Sequence, residues 1–348
     1  MVQKKIKVGN IVVNKGEFKK GFIKGIEISN SISLDVPILV INGIEDGPTI
    51  LLTSTEHGTE IQGIRIIHKI MREEINPKKL RGSIIGIPVM NPTAFFAAQY
   101  RSWLDNLDVG RVVANNPNGS AMEKLAYNLW TEALSKADIW INMHGNVRAD
   151  SIFFSEINTS DPRNREQNIK MAEAFGYTII YSDKPIGDNA PPTYRNLVTK
   201  KGVPYILVEF IDCRFISEPS TSTGIRGTLN IMKLFKMIDG EIEPHPEKFI
   251  LIPGVNRDGG LLRPKRGGVI NLLKKPGEPI KKNEIVAEVY NLHGDVLEKV
   301  KMPMDGYVWS YPLGEFEGTE GLLQTVNTGC RLAFIFKHEN DALLKEPY

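Results

Sequence analysis

The chain has 348 residues, of which 41% are hydrophobic and 24% charged, and 43 Lys and Arg against 41 Asp and Glu leave a net charge of +2. This is ordinary globular composition at a length that suits two domains, and the near-neutral balance gives no global basic field for nucleic acid. Two cysteines, Cys213 and Cys330, are too few and too far apart for a disulfide framework or a cysteine metal site. No apolar run reaches the roughly 18 residues that would span a bilayer, and Lys4, Lys5 and Lys7 precede no apolar signal core, so a cytoplasmic protein without membrane contact is expected.

Residues 1–45 alternate short apolar stretches with Gly16, Gly21, Gly25 and Asn42-Gly43, which predicts a small set of antiparallel strands packed on the neighbouring domain. From 46 the texture changes. An apolar run at 49–54 predicts a buried strand, and Ile61, Ile64, Ile67 and Ile70-Met71 recur at helical spacing over about 60–74. Further strands are expected at 83–90, 138–143, 178–181 and 205–210, with helices at 121–135, 164–175 and 224–238. Strands alternating with helices predict an α/β domain over 46–244 with a sheet covered on both faces. Near Pro244-His245-Pro246 glycines and short strands take over, so an all-β module is expected from 245 to 348.

In open α/β sheets ligands collect beyond the carboxyl ends of strands. Four apolar runs end in chemistry-bearing residues: His57 and Glu60 after the first, Asn91-Pro92 after the second, His144 after 138–143, and Glu209 at the end of 205–210. His57 and Glu60, three apart, share a face if a helix starts here. Glu56 is a rival ligand but, as the immediate neighbour of His57, is expected to point elsewhere. Zinc takes imidazole nitrogen and carboxylate oxygen, and catalytic sites keep three protein ligands plus an open position, which His57, Glu60 and His144 would supply. Glu209, a carboxylate at the end of a buried strand, is the candidate general base. Two arginines, Arg101 and Arg111, flank the loop that comes after Asn91-Pro92; such side chains bind carboxylates or steady an oxyanion.

The set His57-x-x-Glu60, Asn91-Pro92, Arg101, Asp108-Val109-Gly110-Arg111, His144 and Glu209 resembles the succinylglutamate desuccinylase/aspartoacylase family of the zinc carboxypeptidase superfamily. The resemblance covers about residues 20–240 and extends into the β module. It implies a three-layer α/β/α domain with a mixed sheet, one zinc ion per chain held by His57, Glu60 and His144, and Glu209 as base and proton shuttle. It also implies that Arg101 steadies the scissile carbonyl and Arg111 a substrate carboxylate, with Asn91 and Asp108 of the same set as further substrate-binding candidates. Outside the resemblance, Arg195 follows the site in sequence and is a candidate substrate contact. Arg148 and Tyr194 are weaker candidates. This chain departs from the family pattern at two positions: Gly110 stands where the motif Asp-Leu-Asn-Arg has asparagine, and Asn142 stands where an aspartate usually precedes the late histidine by two.

The C-terminal stretch from Gly277 to Gly306 resembles a biotinyl/lipoyl-like barrel-sandwich. Lys301 lacks the preceding methionine of a true carrier lysine, so a module shaping the site mouth or an oligomer contact is expected. The function expected from these features is that of a zinc amidohydrolase removing an acyl group from an N-acyl amino acid or similar small amide. A metallocarboxypeptidase acting on short peptides and a non-catalytic binding protein are the alternatives, and a homo-oligomer stays open.

Overall fold

The computed structural model describes residues 5–145, 150–151, 154–176, 178–182, 189–244, 249–252, 260–311, 315–316, 319–320, 325–337 and 343–345. The N-terminal part contains β1 (Ile6–Val8), β2 (Ile11–Val13), β3 (Glu17–Glu27) and β4 (Ser33–Asn42). The α/β part comes next as β5 (Glu45–Ser54), α1 (Gln62–Lys69), β6 (Arg81–Ile87), α2 (Pro92–Phe96), α3 (Ala121–Glu132), β7 (Ile139–Gly145), β8 (Asp150–Ser151), β9 (Phe154–Asn158), α4 (Arg165–Phe175), β10 (Thr178–Ser182), α5 (Tyr194–Lys200), β11 (Tyr205–Phe210) and α6 (Glu218–Leu234). The C-terminal strands are β12 (Phe249–Ile252), β13 (Leu261–Leu262), β14 (Gly268–Leu272), β15 (Pro279–Ile280), β16 (Ile285–Tyr290), β17 (Val296–Lys301), β18 (Gly306–Tyr311), β19 (Glu315–Phe316), β20 (Thr319–Glu320), β21 (Thr325–Val326), β22 (Ala333–Lys337) and β23 (Leu343–Lys345). Among the described residues no helix is long and apolar enough to cross a membrane.

Ten strands form one mixed sheet in the order β23-β12-β10-β9-β11-β7-β5-β6-β4-β3. Its centre, β11-β7-β5-β6, is parallel. After β5 the chain places β6 on one side and then β7 on the other, so β5 is where the winding reverses. A crevice opens at such a reversal, beyond the carboxyl ends of the strands.

The central strands are buried on both faces, which is why they read as unbroken apolar runs. Ile50, Leu52, Ile84, Ile139 and Ile141 pack on one side with Ile66, Ile67, Met171, Phe175 and Ile231 from α1, α4 and α6. Leu51, Ile85 and Trp140 pack on the other with Met122, Leu125 and Leu129 of α3 and Tyr194 and Val198 of α5. The result is the expected α/β/α layering. A third core, including Ile270, Val286, Val289, Met302, Val308 and Ile335, lies within the C-terminal sheets β13-β22-β18-β15 and β17-β16-β14-β21.

Several local expectations differ from what forms. Gly21 and Gly25 do not interrupt strands; both lie inside β3. A Cβ on Gly21 would meet Asn10 Oδ1 and Ile11 Cγ2 at 2.5 Å, so this glycine marks close approach of the N-terminal hairpin rather than a turn. The helix expected from about 60 begins at Gln62 and ends in a π-helical stretch, Ile70–Glu74. The helix expected from 224 begins at Glu218, because Ser217 caps it and Pro219 sits in its first turn. Its polar opening, Ser220 to Thr223, hid the start from an apolar count. The boundary expected near 245 falls next to residues 245–248, which lie outside the described residues. Strands from beyond it return to the α/β sheet: β12 pairs with β10, and β23 with β12. Within the C-terminal sheets, β18 pairs with β8, a short strand of the α/β part that comes after β7.

Leu52 lies on β5 and is fully buried. Leu52→Ala is expected to lower the unfolding free energy by about 2–5 kcal/mol through lost transfer energy and a residual cavity. An unchanged midpoint in urea unfolding would contradict this.

Candidate metal centre and active site

The site begins where β5 ends. Thr55 has φ +54°, a left-handed conformation uncommon for a β-branched residue. It is held there by several bonds: its carbonyl accepts from the Asn91 amide (3.1 Å), and its hydroxyl donates to the Glu60 carbonyl (3.1 Å). The Glu60 amide in turn donates to the His57 carbonyl at 3.1 Å. His57 and Glu60 therefore share a face through a hydrogen-bonded turn, not through the first turn of a helix. Gly58 is required in this turn, because a Cβ there would lie 2.1 Å from the Ala94 carbonyl group.

His144 is the penultimate residue of β7, and its register partner on β11 is Glu209. One carboxylate ties both histidines together. Glu60 Oε1 lies 2.8 Å from His57 Nδ1, and Glu60 Oε2 lies 2.8 Å from His144 Nδ1. All three side chains are buried, with exposures of 7% or less. A tetrahedral zinc with bonds of about 2.0–2.1 Å would separate its ligand atoms by about 3.3 Å. The ligand atoms of the three residues all lie within 4.8 Å of one another, and their nitrogen and oxygen donors suit zinc.

The far nitrogens of both rings face carboxylates. His57 Nε2 lies 3.5 Å from Asp108 Oδ2. Asp108 is itself fixed by the Gly110 amide (2.9 Å) and by Arg111 Nε (3.1 Å). His144 Nε2 lies 3.6 Å from Glu56 Oε2, and Arg195 Nη2 is bonded to the other oxygen of Glu56. Glu56, His57 and Asp108 also lie close enough together to hold a cation. Their oxygens are engaged by Arg195, Arg111 and the Gly110 amide. The His57 ring also stacks on Tyr100, with centroids 3.7 Å apart and planes 15° apart.

These contacts overcome the cost of burying charge. Burial works against the Glu60 carboxylate, yet His57 and His144 hold its pKa down at about 2. Burial likewise opposes charge on the rings, but Glu60 and Asp108 raise His57 to about 9, and Glu60 and Glu56 raise His144 to about 10. Burial pushes the Tyr100 hydroxyl up, and the charges of Glu60, Asp108 and Glu209 push it the same way, so Glu209 acts on the same small volume.

The remaining candidates take varied places. Asn91 caps α2, its Oδ1 accepting from the Ala94 amide (3.1 Å) and the Thr93 hydroxyl (2.7 Å), while its Nδ2 is buried without a hydrogen-bond partner among the described residues. Arg101 is half-buried and Arg111 largely exposed on one loop, which is pinned by Asp105 accepting from the Met122 amide at the start of α3. Arg195 projects from α5 onto Glu56. Arg148 lies outside the described residues. Tyr100 and the full role of Glu56 are not legible in the sequence. A buried acid beside His57 is visible there, but its direction depends on the Thr55 turn.

Stripped of metal, the protein carries a defined pH dependence. His57 and His144 have folded pKa values of about 9 and about 10 against an unfolded value of 6.5. Their stabilisation is complete below about pH 6.5 and is lost as pH rises through these folded values. Glu60, lowered to about 2 from 4.5, loses its contribution as pH falls between those values. Unfolding free energy of the stripped protein is expected to fall between pH 7 and 10, and His144→Ala to flatten that slope in denaturant titrations at stepped pH.

The catalytic-domain model of the succinylglutamate desuccinylase/aspartoacylase family matches residues 46–235, the span that contains His57, Glu60, His144 and Glu209. The N-alpha-acetyl-L-2,4-diaminobutyric acid deacetylase of Halomonas elongata is 25% identical over 282 residues, which cover 78% of this chain and 80% of that protein. A succinylglutamate desuccinylase/aspartoacylase structure from Rhodobacter sphaeroides shares the fold with a TM-score of 0.78 at 22% identity, covering 96% of this chain and 99% of that one. The product-bound ectoine utilization protein EutE (DoeB) of Ruegeria pomeroyi does so with a TM-score of 0.80 at 21% identity, again over 96% and 99%. With more than half its length matched by the catalytic domain, this chain belongs to the succinylglutamate desuccinylase/aspartoacylase family of deacylases.

Proposed function

We propose that the protein is a zinc-dependent deacylase that hydrolyses the amide bond of an N-acyl amino acid. The observation that carries this reading is the Glu60 carboxylate held between two imidazole nitrogens at 2.8 Å each, at the carboxyl end of the strand where the sheet reverses. His57, Glu60 and His144 would hold one zinc ion, which when bound would polarise the scissile carbonyl and acidify water. Glu209, alongside His144 on the next strand, takes the proton from the attacking water and delivers it to the leaving amine nitrogen. Arg101 steadies the developing oxyanion, and Arg111, whose side chain is 68% exposed, receives a substrate carboxylate. Asn91 contributes its free amide N–H. Asp108 and Arg195, expected as direct substrate contacts, contribute through the walls they build behind His57 and Glu56.

Deacylase and carboxypeptidase chemistry differ in substrate, not in mechanism. A panel of N-acetyl and N-succinyl amino acids, N-acetyl-2,4-diaminobutyrate included, set against dipeptides separates them. Turnover of acyl amino acids is expected; turnover confined to dipeptides would favour the carboxypeptidase reading.

Glu209→Gln is expected to keep stoichiometric metal by elemental analysis while kcat falls by about 10²–10⁴. Full activity in that variant would remove Glu209 from the mechanism. His144→Ala is expected to lose the metal, and metal retained there at one per chain would refute the ligand set.

A further inference from the structure

Two residues near the site, Gly110 and Asn142, have no explanation in the sequence. Both touch one buried group. Glu56 is 1% exposed, and its carboxylate lies behind His144 rather than in front of it. A Cβ at position 110 would lie 2.0 Å from Glu56 Oε1 and 2.7 Å from its Cδ, so any side chain larger than glycine's would displace the carboxylate. Asn142 Nδ2 lies 3.1 Å from Glu56 Oε2 and 2.9 Å from His144 Nε2. Arg195 closes the cluster on Oε1.

Hydrogen-bond polarity decides what each group can do for His144. The Trp140 indole N–H, a donor only, reaches the Thr53 hydroxyl at 2.8 Å, and that hydroxyl donates its single proton to Asn142 Oδ1 at 2.7 Å. Asn142 therefore presents its amide N–H₂ toward Glu56 and His144. Three groups surround His144 Nε2: Asn142 Nδ2 at 2.9 Å, Arg195 Nη2 at 3.4 Å and Glu56 Oε2 at 3.6 Å. The first two are donors. A neutral histidine that ligates through Nδ1 carries its proton on Nε2, and of these three groups only Glu56 can accept it; with the proton there, Asn142 Nδ2 no longer donates to the ring and Glu56 Oε2 has to close from 3.6 Å to hydrogen-bond distance.

We propose that Glu56 is the positioning residue of His144: a carboxylate delivered by the loop after β5 takes the place that an acid at strand position 142 would fill. Arg195 anchors it, the Asn142 amide donates to its Oε2, and Gly110 leaves the space it occupies. Asp108 has the corresponding place behind His57, so each imidazole is backed by its own carboxylate. This inference rests on the metal-binding role proposed for His57, Glu60 and His144.

The test is a carboxylate transfer. Glu56→Gln keeps the shape and the bond to Arg195 but removes the charge. Asn142→Asp in that background puts a carboxylate oxygen where Nδ2 stands, 2.9 Å from His144 Nε2. Zinc affinity is measured by chelator competition, and ligand-field bands are recorded after cobalt substitution. Glu56→Gln is expected to weaken zinc binding by about 10–100-fold and to shift the cobalt bands, with the double variant recovering most of both. A merely structural role for Glu56 would lower thermal stability without this recovery. Wild-type zinc affinity in Glu56→Gln, or a loss that Asn142→Asp leaves unrepaired, would overturn the proposal. Gly110→Ala offers a second route if Glu56→Gln does not fold: it retains every charge yet crowds Oε1, and unchanged zinc affinity there would count equally against the proposal. Wild-type protein that takes up neither zinc nor cobalt would fail the metal reading first, and the Glu56 role with it.

Discussion

Six ionisable side chains, Glu56, His57, Glu60, Asp108, His144 and Arg195, meet in a volume from which water is nearly excluded. Charges in such a place are tolerated only when each has a partner at contact distance. The arrangement meets that constraint as a linked series. Arg195 pairs with Glu56, Glu56 faces His144, Glu60 joins His144 to His57, Asp108 faces His57, and Arg111 pairs with Asp108. The series begins and ends in arginines that reach solvent, so no charge is stranded at either end. Glu60 stands at its centre, and it is the member with an imidazole on each oxygen.

The backbone that supplies these groups comes from distant parts of the chain. The winding reversal at β5 splits the later strands to its two sides, and the loop after β5 carries His57 and Glu60. Thr55 turns the chain out of the strand at the cost of a left-handed backbone conformation, which the bonds to Asn91 and Glu60 hold in place. Unusual backbone conformations persist where the surroundings determine them in more than one way. Here Gly58 adds a further constraint by allowing the turn to lie directly on the backbone of α2.

The C-terminal strands are joined to the α/β part by the backbone. β18 pairs with β8, which comes shortly after β7 in the chain, and β12 and β23 extend the edge of the central sheet. The segment beyond β7 is thus hydrogen-bonded to the β module. Two pairs of ladder positions, Ser310 with Ser151 and Tyr311 with Asp150, make that connection.

Much of the plan is present in the amino-acid order. Unbroken apolar runs identify the buried strands, and the polar residues ending them, His57, Glu60, His144 and Glu209, are legible as a convergent set because parallel strands present their carboxyl ends on one side of the sheet. What the order of residues does not carry is the direction of side chains in the loops. Glu56 and His57 are neighbours, and only the Thr55 turn decides that Glu56 faces back toward Asn142 and Arg195. Gly110 and Asn142 are far apart in the chain and have no local pattern in common; the oxygens of one carboxylate relate them. Such pairings arise from contacts made after the layers pack, where shape and charge must be satisfied at once. The buried strands and the chemistry-bearing residues at their ends were therefore determined by the sequence itself, while the order of the strands in the sheet and the partner of each buried charge were decided by the tertiary structure.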